Sequence, residues 1–290
     1  MSVVNTNVAA SVAQAALTRN ERALGAAMEK LSTGKRINSA ADNAAGLAIS
    51  AQMTSQIRGL GVAVSNANDA ISMVNTADGA LDEITTMLQR MRELAVQAGT
   101  GTTASTDRTY LQSEFIALRT EIDRIADNTQ WNGRNILDGS AGASTGKSAV
   151  AFGIGQDGTA AQTLSTSFGN FNNTTGALSG LASKIITGTS STTASAITVA
   201  AASIVEIDVV IADVSAQRAS FGAVTNRLTH AVDSLANTKI NSEAARSQIL
   251  DTDYAAETSE LARTQIIQQA STAMLAQANA MPQTVLALLQ

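Results

Sequence analysis

Apolar and small residues recur at alternating spacings of four and three between about residues 44 and 98. The series consists of Met53, Ile57, Leu60, Val64, Ala67, Ile71, Val74, Leu81 and Leu88, and Asp78 interrupts it. This spacing places the apolar side chains on one seam of a helix, as in a coiled coil. It predicts a helix from Ala44 to Ala98, about 80 Å long at about 1.5 Å per residue. Ser39 and Asp42 resemble a capping box at its start, and Gly99 marks its end.

Two further segments carry the same repeat and predict a second helix from Thr106 to Asn128 and a third from Ala196 to Ala236. The second seam consists of Leu111, Phe115, Leu118, Ile122 and Ile125, and the third of Ala200, Ile204, Ile207, Ile211, Val214, Phe221, Leu228, Val232 and Leu235. No single helix can bury its own seam. We therefore expect a helical bundle in which the first and third helices pack side by side, with the second beside them.

The two ends of the chain show weaker heptads and carry no charge. Leucines recur every seven residues at Leu17, Leu24 and Leu31, and apolar residues do so at Ile267, Met274 and Met281. Residues 1–18 and 264–290 contain no charged side chain, although chain ends are normally polar and solvated. Both stretches are too rich in Asn, Gln and Ser to be a secretory signal or a membrane span. We expect them to form a terminal two-helix coiled coil buried against protein.

The segment between the helices has a different composition. Residues 141–198 are rich in Ser, Thr and Gly and hold three charged residues. The turn dipeptides Asn132-Gly133, Asp138-Gly139 and Asp157-Gly158 and the apolar run Val150–Ile154 predict short β-hairpins. The expected fold is therefore mainly α. It has paired terminal helices in residues 1–42 and 250–290, a bundle in 43–140 and 196–249, and hairpins and loops in 141–195.

The composition argues against most enzyme classes. The chain has no cysteine and a single histidine, His230, so thiol chemistry and the common zinc sites cannot be assembled. Its net charge is −5, and the chain lacks the clustered Lys and Arg residues that contacts with nucleic-acid phosphates need, which argues against a nucleic-acid-binding protein. The spacing of Gly153–Gly158 matches a dinucleotide-binding loop, but no amphipathic helix is predicted after it. We expect no catalytic residues, no metal and no cofactor.

Several stretches resemble bacterial flagellin, in the same order along the chain. They are LSTGKRINSA at 31–40, DNAAGLAI at 42–49, QRMRELAVQ at 89–97, RASFGAVTNR at 218–227, ARSQILDTDY at 245–254, and residues 265–289. The resemblance covers about residues 1–140 and 200–290. It implies a subunit of the flagellar filament for swimming motility, with the paired termini as inner core, the bundle as outer core and the central segment outside. A hook–filament junction protein, which resembles flagellin at its ends, is the alternative.

The resemblance also implies partners and a location. The chain would polymerise with itself, use a flagellar export chaperone and export apparatus, and meet hook-associated and cap proteins. It would reach the extracellular filament unfolded, without a cleaved signal peptide. We expect O-glycosylation, if present, to fall within Ser144–Thr198, where hydroxyl groups are dense.

One helix is apolar over an arc too wide for a single partner helix. A second row runs through Met73, Ala80, Met87 and Leu94, and Met87 and Leu94 lie about 100–120° around the helix from Leu88. We therefore expect Leu94 and Arg90 to stay accessible in the monomer and to be covered by a neighbouring subunit in a filament. Resemblance to flagellins adds that Arg90, Leu94 and Glu114 contact the flagellin-sensing Toll-like receptor of animals.

Overall fold

The computed structural model describes residues 7–139, 147–155, 162–171 and 193–287, and the single positions 176, 179 and 186. For residues 147, 148, 193–196 and 281–287 it describes the backbone only. Over these ranges the fold is mainly α, as the sequence predicts. The helices are α1 (Val8–Thr33), α2 (Ala40–Ala98), α3 (Ser105–Asn128), α4 (Thr193–Leu250) and α5 (Tyr254–Ala287).

The chain divides into two compact units. The terminal unit holds residues 1–57 and 240–290, and the bundle unit holds residues 58–239. The limits fall inside α2 and α4, so each of these two helices contributes to both units. Residues 43–57 and 240–249, which the sequence interpretation assigned to the bundle, thus group with the termini.

The regular part of α2 begins where the sequence predicts, but a different residue caps it. Asn43 has extended backbone angles, and its side-chain oxygen accepts a hydrogen bond of 2.8 Å from the Gly46 amide, as an N-cap does. The carboxylate of Asp42 accepts the backbone amides of Ser39 and Asn38 at 2.8 and 3.0 Å, which lowers the pKa of Asp42. The bond from the Ser39 amide to the Asp42 carboxylate is one of the two bonds of the predicted capping box, formed at the first turn of α2, before the kink at Asn43.

The buried stripe of α2 follows most of the predicted seam and departs from it at Val64 and Ile71. Ile57, Leu60, Ala67, Val74, Leu81 and Leu88 are buried as expected. The positions between Leu60 and Leu88 are filled by Ala63, Ala70, Ala77 and Ile84, and Met91 and Ala98 continue the stripe after Leu88, whereas Val64 and Ile71 are half-buried beside it. Small alanines at the line of closest approach let neighbouring helices come near, so the larger residues lie at the flank. The same displacement occurs in α4, where Ser203 and Val210 are buried.

Ion pairs join α2 and α4 in antiparallel orientation within the bundle unit. The Arg92 side chain lies 2.7 Å from the Asp208 carboxylate. Arg218 bridges Asp78 and Asp82 on α2 at 2.9 and 2.8 Å. The predicted side-by-side packing of the first and third helices is therefore confirmed.

The helix α3 folds back beside α2 and buries Phe115, Ile122 and Ala126. Buried Arg108 donates to the carbonyls of Ala98 and Thr100, each at 3.0 Å. These contacts satisfy carbonyls at the end of α2, which would otherwise lack partners. One side chain thus fixes the turn between the two helices.

Two short antiparallel hairpins follow α3. Strands β1 (Gln130–Trp131) and β2 (Arg134–Asn135) are joined by Asn132 and Gly133, which both have positive φ, as a type I′ turn requires. Strand β3 (Lys147–Gly153) pairs with β4 (Thr163–Gly169), in agreement with the strand predicted at Val150–Ile154. Asp157-Gly158 lies outside the described residues.

Candidate interaction surface

The terminal helices α1 and α5 pack against each other in antiparallel orientation. The Asn7 side chain donates to the Ala278 carbonyl at 2.8 Å, and the Asn20 side chain donates to the Thr264 carbonyl at 2.8 Å. Near the other end, Lys30 and Glu257 form an ion pair of 3.5 Å. These three contacts are spaced along the whole of α1, so the two helices stay in one register.

The seam between them alternates at spacings of three and four. Its buried and half-buried positions are Ala10, Ala13, Leu17, Asn20, Leu24, Ala27 and Leu31 on α1, and Glu257, Leu261, Thr264, Gln268, Ser271, Leu275 and Ala278 on α5. Asn20 and Thr264 are the buried polar residues of this seam, and the hydrogen bond between them disfavours other registers. The sequence reasoning missed them because it counted only large apolar residues.

The heptad of Ile267 and Met274 does not face α1. Ile267 is 37% exposed and Met274 is 64% exposed, and each lies one residue before a seam position. The interpretation that paired these residues with Leu17, Leu24 and Leu31 is therefore wrong for the folded chain. Gln268 and Leu275 occupy the seam instead, since one residue turns a helix by about 100°. The side chain of Met281 lies outside the described residues.

Residues that immediately precede the seam on the two antiparallel helices project to the same side of the pair. Lys30 and Glu260 illustrate this geometry. The pKa of Glu260 is lowered first by hydrogen bonds from Arg263 and further by the positive charge of Lys30 across the pair. Ile267 and Met274 on α5 therefore share a side with Ala9, Ala16 and Ala23 on α1.

The two sides of the α1–α5 pair differ in polarity. We call one the apolar side; its exposed apolar residues are Ala9, Val12, Ala16, Ala23, Ile267, Ala270 and Met274, and exposed Arg19, Arg263 and Gln277 lie on the same side. The opposite or polar side is formed by exposed Ser11, Gln14, Thr18, Glu21, Gln265, Gln269, Thr272 and Asn279. Met28 is an exposed apolar residue on the polar side. The apolar residues from Ala9 to Ala16 on α1 and from Ile267 to Met274 on α5 form one exposed patch on this side, bounded by Arg19, Arg263 and Gln277, and the folded monomer leaves this patch without a partner.

A backbone clasp joins the connectors that follow α1 and α4. The Arg36 amide donates to the Leu250 carbonyl at 2.7 Å, and the Thr252 amide donates to the Gly34 carbonyl at 3.1 Å. Gly34 ends α1 with φ of 68°, a left-handed conformation that favours glycine. A Cβ atom at this position would lie 2.9 Å from the Tyr254 hydroxyl oxygen. The clasp sets where α5 begins relative to the end of α1.

The second predicted site, on α2 and α3, is only partly accessible. The Arg90 side chain is half exposed and bonds to Glu114 at 3.0 Å and to Glu93 at 3.0 Å, which raises its pKa. Leu94, in contrast, is 1% exposed in the bundle core. The expectation that Leu94 stays accessible in the monomer is therefore wrong. The wide apolar arc of α2 is covered within the same chain, because both α3 and α4 pack on it.

The described residues offer no other candidate for chemistry. They contain no group of three or more His, Cys, Asp or Glu side chains placed to hold a metal ion. Within the same ranges, every helix is too short or too polar to cross a membrane.

Comparison with known proteins identifies the family. A model of the bacterial flagellin N-terminal helical region matches residues 4–142, and one of the C-terminal helical region matches residues 204–289. Flagellin of Bacillus subtilis is 42% identical, with 99% of each chain covered. Flagellin A of Vibrio cholerae is 35% identical, also with 99% of each chain covered.

A solved structure of a putative flagellar hook-associated protein from Vibrio parahaemolyticus covers 72% of this chain and 100% of that chain, with a TM-score of 0.58 and 12% identity. At that identity the likeness concerns the fold alone and does not favour the junction alternative. The family models and the curated relatives agree on flagellin. The chain belongs to the bacterial flagellin family and is a structural subunit of the extracellular flagellar filament, not an enzyme.

Proposed function

We propose that copies of this chain polymerise through the apolar side of the α1–α5 pair. The observation that carries the proposal is the difference between the two sides: one exposes an apolar patch from Ala9 to Ala16 and from Ile267 to Met274, bounded by Arg19 and Arg263, and the other exposes mainly hydroxyl, amide and carboxyl groups. Water solvates the apolar side poorly, so its burial against another copy is favourable. A filament subunit has such copies as neighbours.

In this proposal the terminal helices form the inner core of the filament and the bundle forms its outer core. The polar side of the pair then faces a water-filled lumen. Residues 264–290 carry no charge, which lets such a lumen pass charged chains without holding them. The central segment, residues 141–195, lies outside.

Export through the flagellar apparatus is a further part of the proposal. The chain has no cysteine, so no disulfide forms before an unfolded chain is threaded. An export chaperone would cover the apolar residues of the C-terminal helix until assembly. Hook-associated and cap proteins would then meet the two ends of the filament, and no signal peptide would be cleaved.

Recognition of the monomer by the animal Toll-like receptor would use Arg90 and Glu114. Both side chains are about half exposed and paired with each other at 2.9 Å. Leu94 is not proposed as a contact, because its side chain lies in the core. A substitution of Leu94 would affect recognition only by changing the packing of α2.

O-glycosylation remains a proposal for the central segment, within Ser144–Thr198. In the described part of that segment, Ser165 and Ser167 are exposed on β4, whereas Thr166 between them is buried. Alternation along a strand directs the two serines to solvent, where a modifying enzyme could reach them.

Ile267→Gln tests the proposed assembly surface. The substitution keeps a long side chain but places an amide on the apolar side, so we expect the critical concentration for filament growth to rise about tenfold or more. Sedimentation and electron microscopy measure this. Met28→Gln, a similar exposed change on the polar side, is the matched control and should assemble normally. Normal filaments from Ile267→Gln would contradict the proposal.

A further inference from the structure

Two exposed methionines lie on opposite sides of the α1–α5 pair. Met274, on the apolar side, is 64% exposed, and Met28, on the polar side, is 56% exposed. Met73 and Met91 are buried, and Met53 and Met87 are half-buried. Among the methionines whose side chains the structure describes, Met28 and Met274 are therefore the two most open to an oxidant in water.

We propose that Met274 is an oxidation site and that its sulfoxide blocks polymerisation. The proposal rests on the function proposed above. The oxidant is a hydroperoxide such as hydrogen peroxide, which the surroundings of an extracellular protein supply. The sulfur lone pair attacks one peroxide oxygen, the S–O bond forms as the O–O bond breaks, and the second oxygen leaves as water after proton transfer. Sulfur is oxidised and peroxide is reduced, so no further reactant is needed.

The surroundings of Met274 explain why one oxygen atom matters. A helical side chain leans towards the preceding turn, where the neighbours of Met274 on the apolar side, Ile267 and Ala270, have no side-chain hydrogen-bond donor; the amide of Gln277 lies on the following turn. The backbone amides of α5 around it are engaged in the helix. A sulfoxide oxygen covered there by a second copy would lose its bonds to water without replacement, which is costly. We expect the critical concentration for assembly to rise about tenfold or more.

Met28 gives the opposite expectation from the same chemistry. It is oxidised at a comparable rate, because its exposure is similar. Its sulfoxide stays on the polar side, where water bonds to it. The two residues thus separate the effect of oxidation from the effect of position.

Assembly itself would protect the site. In a filament, a neighbouring copy covers Met274, so peroxide reaches it mainly in a chain that has left its chaperone and the export apparatus and is not yet incorporated. Methionine sulfoxide can be reduced enzymatically, so the block is reversible in the monomer. Oxidation would then set the supply of competent subunits rather than dissolve existing filaments.

The experiment treats the full-length monomer with hydrogen peroxide, removes the oxidant, locates each sulfoxide by peptide mass spectrometry and measures assembly by sedimentation. The variants are Met274→Leu, which cannot be oxidised at this position, and Met28→Leu. We expect oxidised wild type and oxidised Met28→Leu to assemble poorly, and oxidised Met274→Leu to assemble as the untreated chain does. Methionine sulfoxide reductases should restore assembly of the wild type.

Two results would overturn the inference. If oxidised wild type carries a sulfoxide at Met274 yet assembles normally, the modification has no effect. If oxidised Met274→Leu fails as the wild type does, another methionine is responsible. In either case the proposed assembly surface is judged separately by unoxidised Ile267→Gln, whose defect does not depend on peroxide.

Discussion

At the scale of single residues, Gly34 and Asn20 determine how the terminal helices meet. Gly34 has a conformation that few residues adopt, with φ of 68°, and its carbonyl accepts the Thr252 amide in the clasp. Asn20 is buried and bonds to the Thr264 carbonyl on the other helix. Both residues act through backbone contacts, so their roles do not follow from hydrophobicity. Neither was predicted from the sequence.

Replacing Gly34 tests the clasp. Gly34→Ala should destabilise the terminal unit by about 1–2 kcal/mol, because a side chain in the left-handed region is strained. Gly34→Asn adds the same Cβ atom beside Tyr254, but Asn tolerates this conformation and should cost less. Urea unfolding followed by circular dichroism measures both variants. If Gly34→Ala and Gly34→Asn lower the free energy of unfolding equally, the contact of the added Cβ atom with Tyr254, rather than backbone strain, is the cause.

At the scale of helices and strands, the heptad repeat predicted the positions of the helices more accurately than it predicted which residues they bury. The predicted helix Ala44–Ala98 agrees with α2 after its cap, and Thr106–Asn128 begins one residue inside α3. The third helix extends past the predicted Ala236 to Leu250. Its last turns hold Ile240, Ile249 and Leu250, which do not recur at heptad spacing, so periodicity could not reveal them. Val64 and Ile71 in α2 were displaced from the buried stripe because alanine, not the larger neighbour, occupies the closest approach.

Leu94→Ala tests the corrected place of Leu94 on α2. Because Leu94 is 1% exposed in the core, its truncation should lower the free energy of unfolding by about 2–5 kcal/mol. Val96→Ala, on the exposed side of the same turn, should change it by less than about 0.5 kcal/mol. Denaturant unfolding of the two monomers measures both. A neutral Leu94→Ala would mean that the side chain is not packed in the monomer.

At the scale of the whole molecule, the sequence indicated burial of the termini but not the surface that would be buried. The absence of charge in residues 1–18 and 264–290 pointed to contacts with protein. The antiparallel register of α1 and α5 determines which side of the pair makes these contacts with protein. Contacts between residues far apart in the sequence, such as Asn7 and Ala278, set that register. Ile267 and Met274 were selected from their heptad spacing, but they lie outside the intramolecular seam. Their role is therefore proposed between copies.

The measurement that tests this central claim most directly uses the absence of cysteine. Met274→Cys and Met28→Cys each introduce a single thiol, one on each side of the α1–α5 pair. The rate of maleimide labelling is measured in the monomer and in filaments assembled from the same variant. The account predicts that both thiols react in the monomer, and that assembly slows labelling at position 274 strongly and at position 28 little. Equal labelling of position 274 in monomer and filament, or protection of position 28 alone, would contradict it.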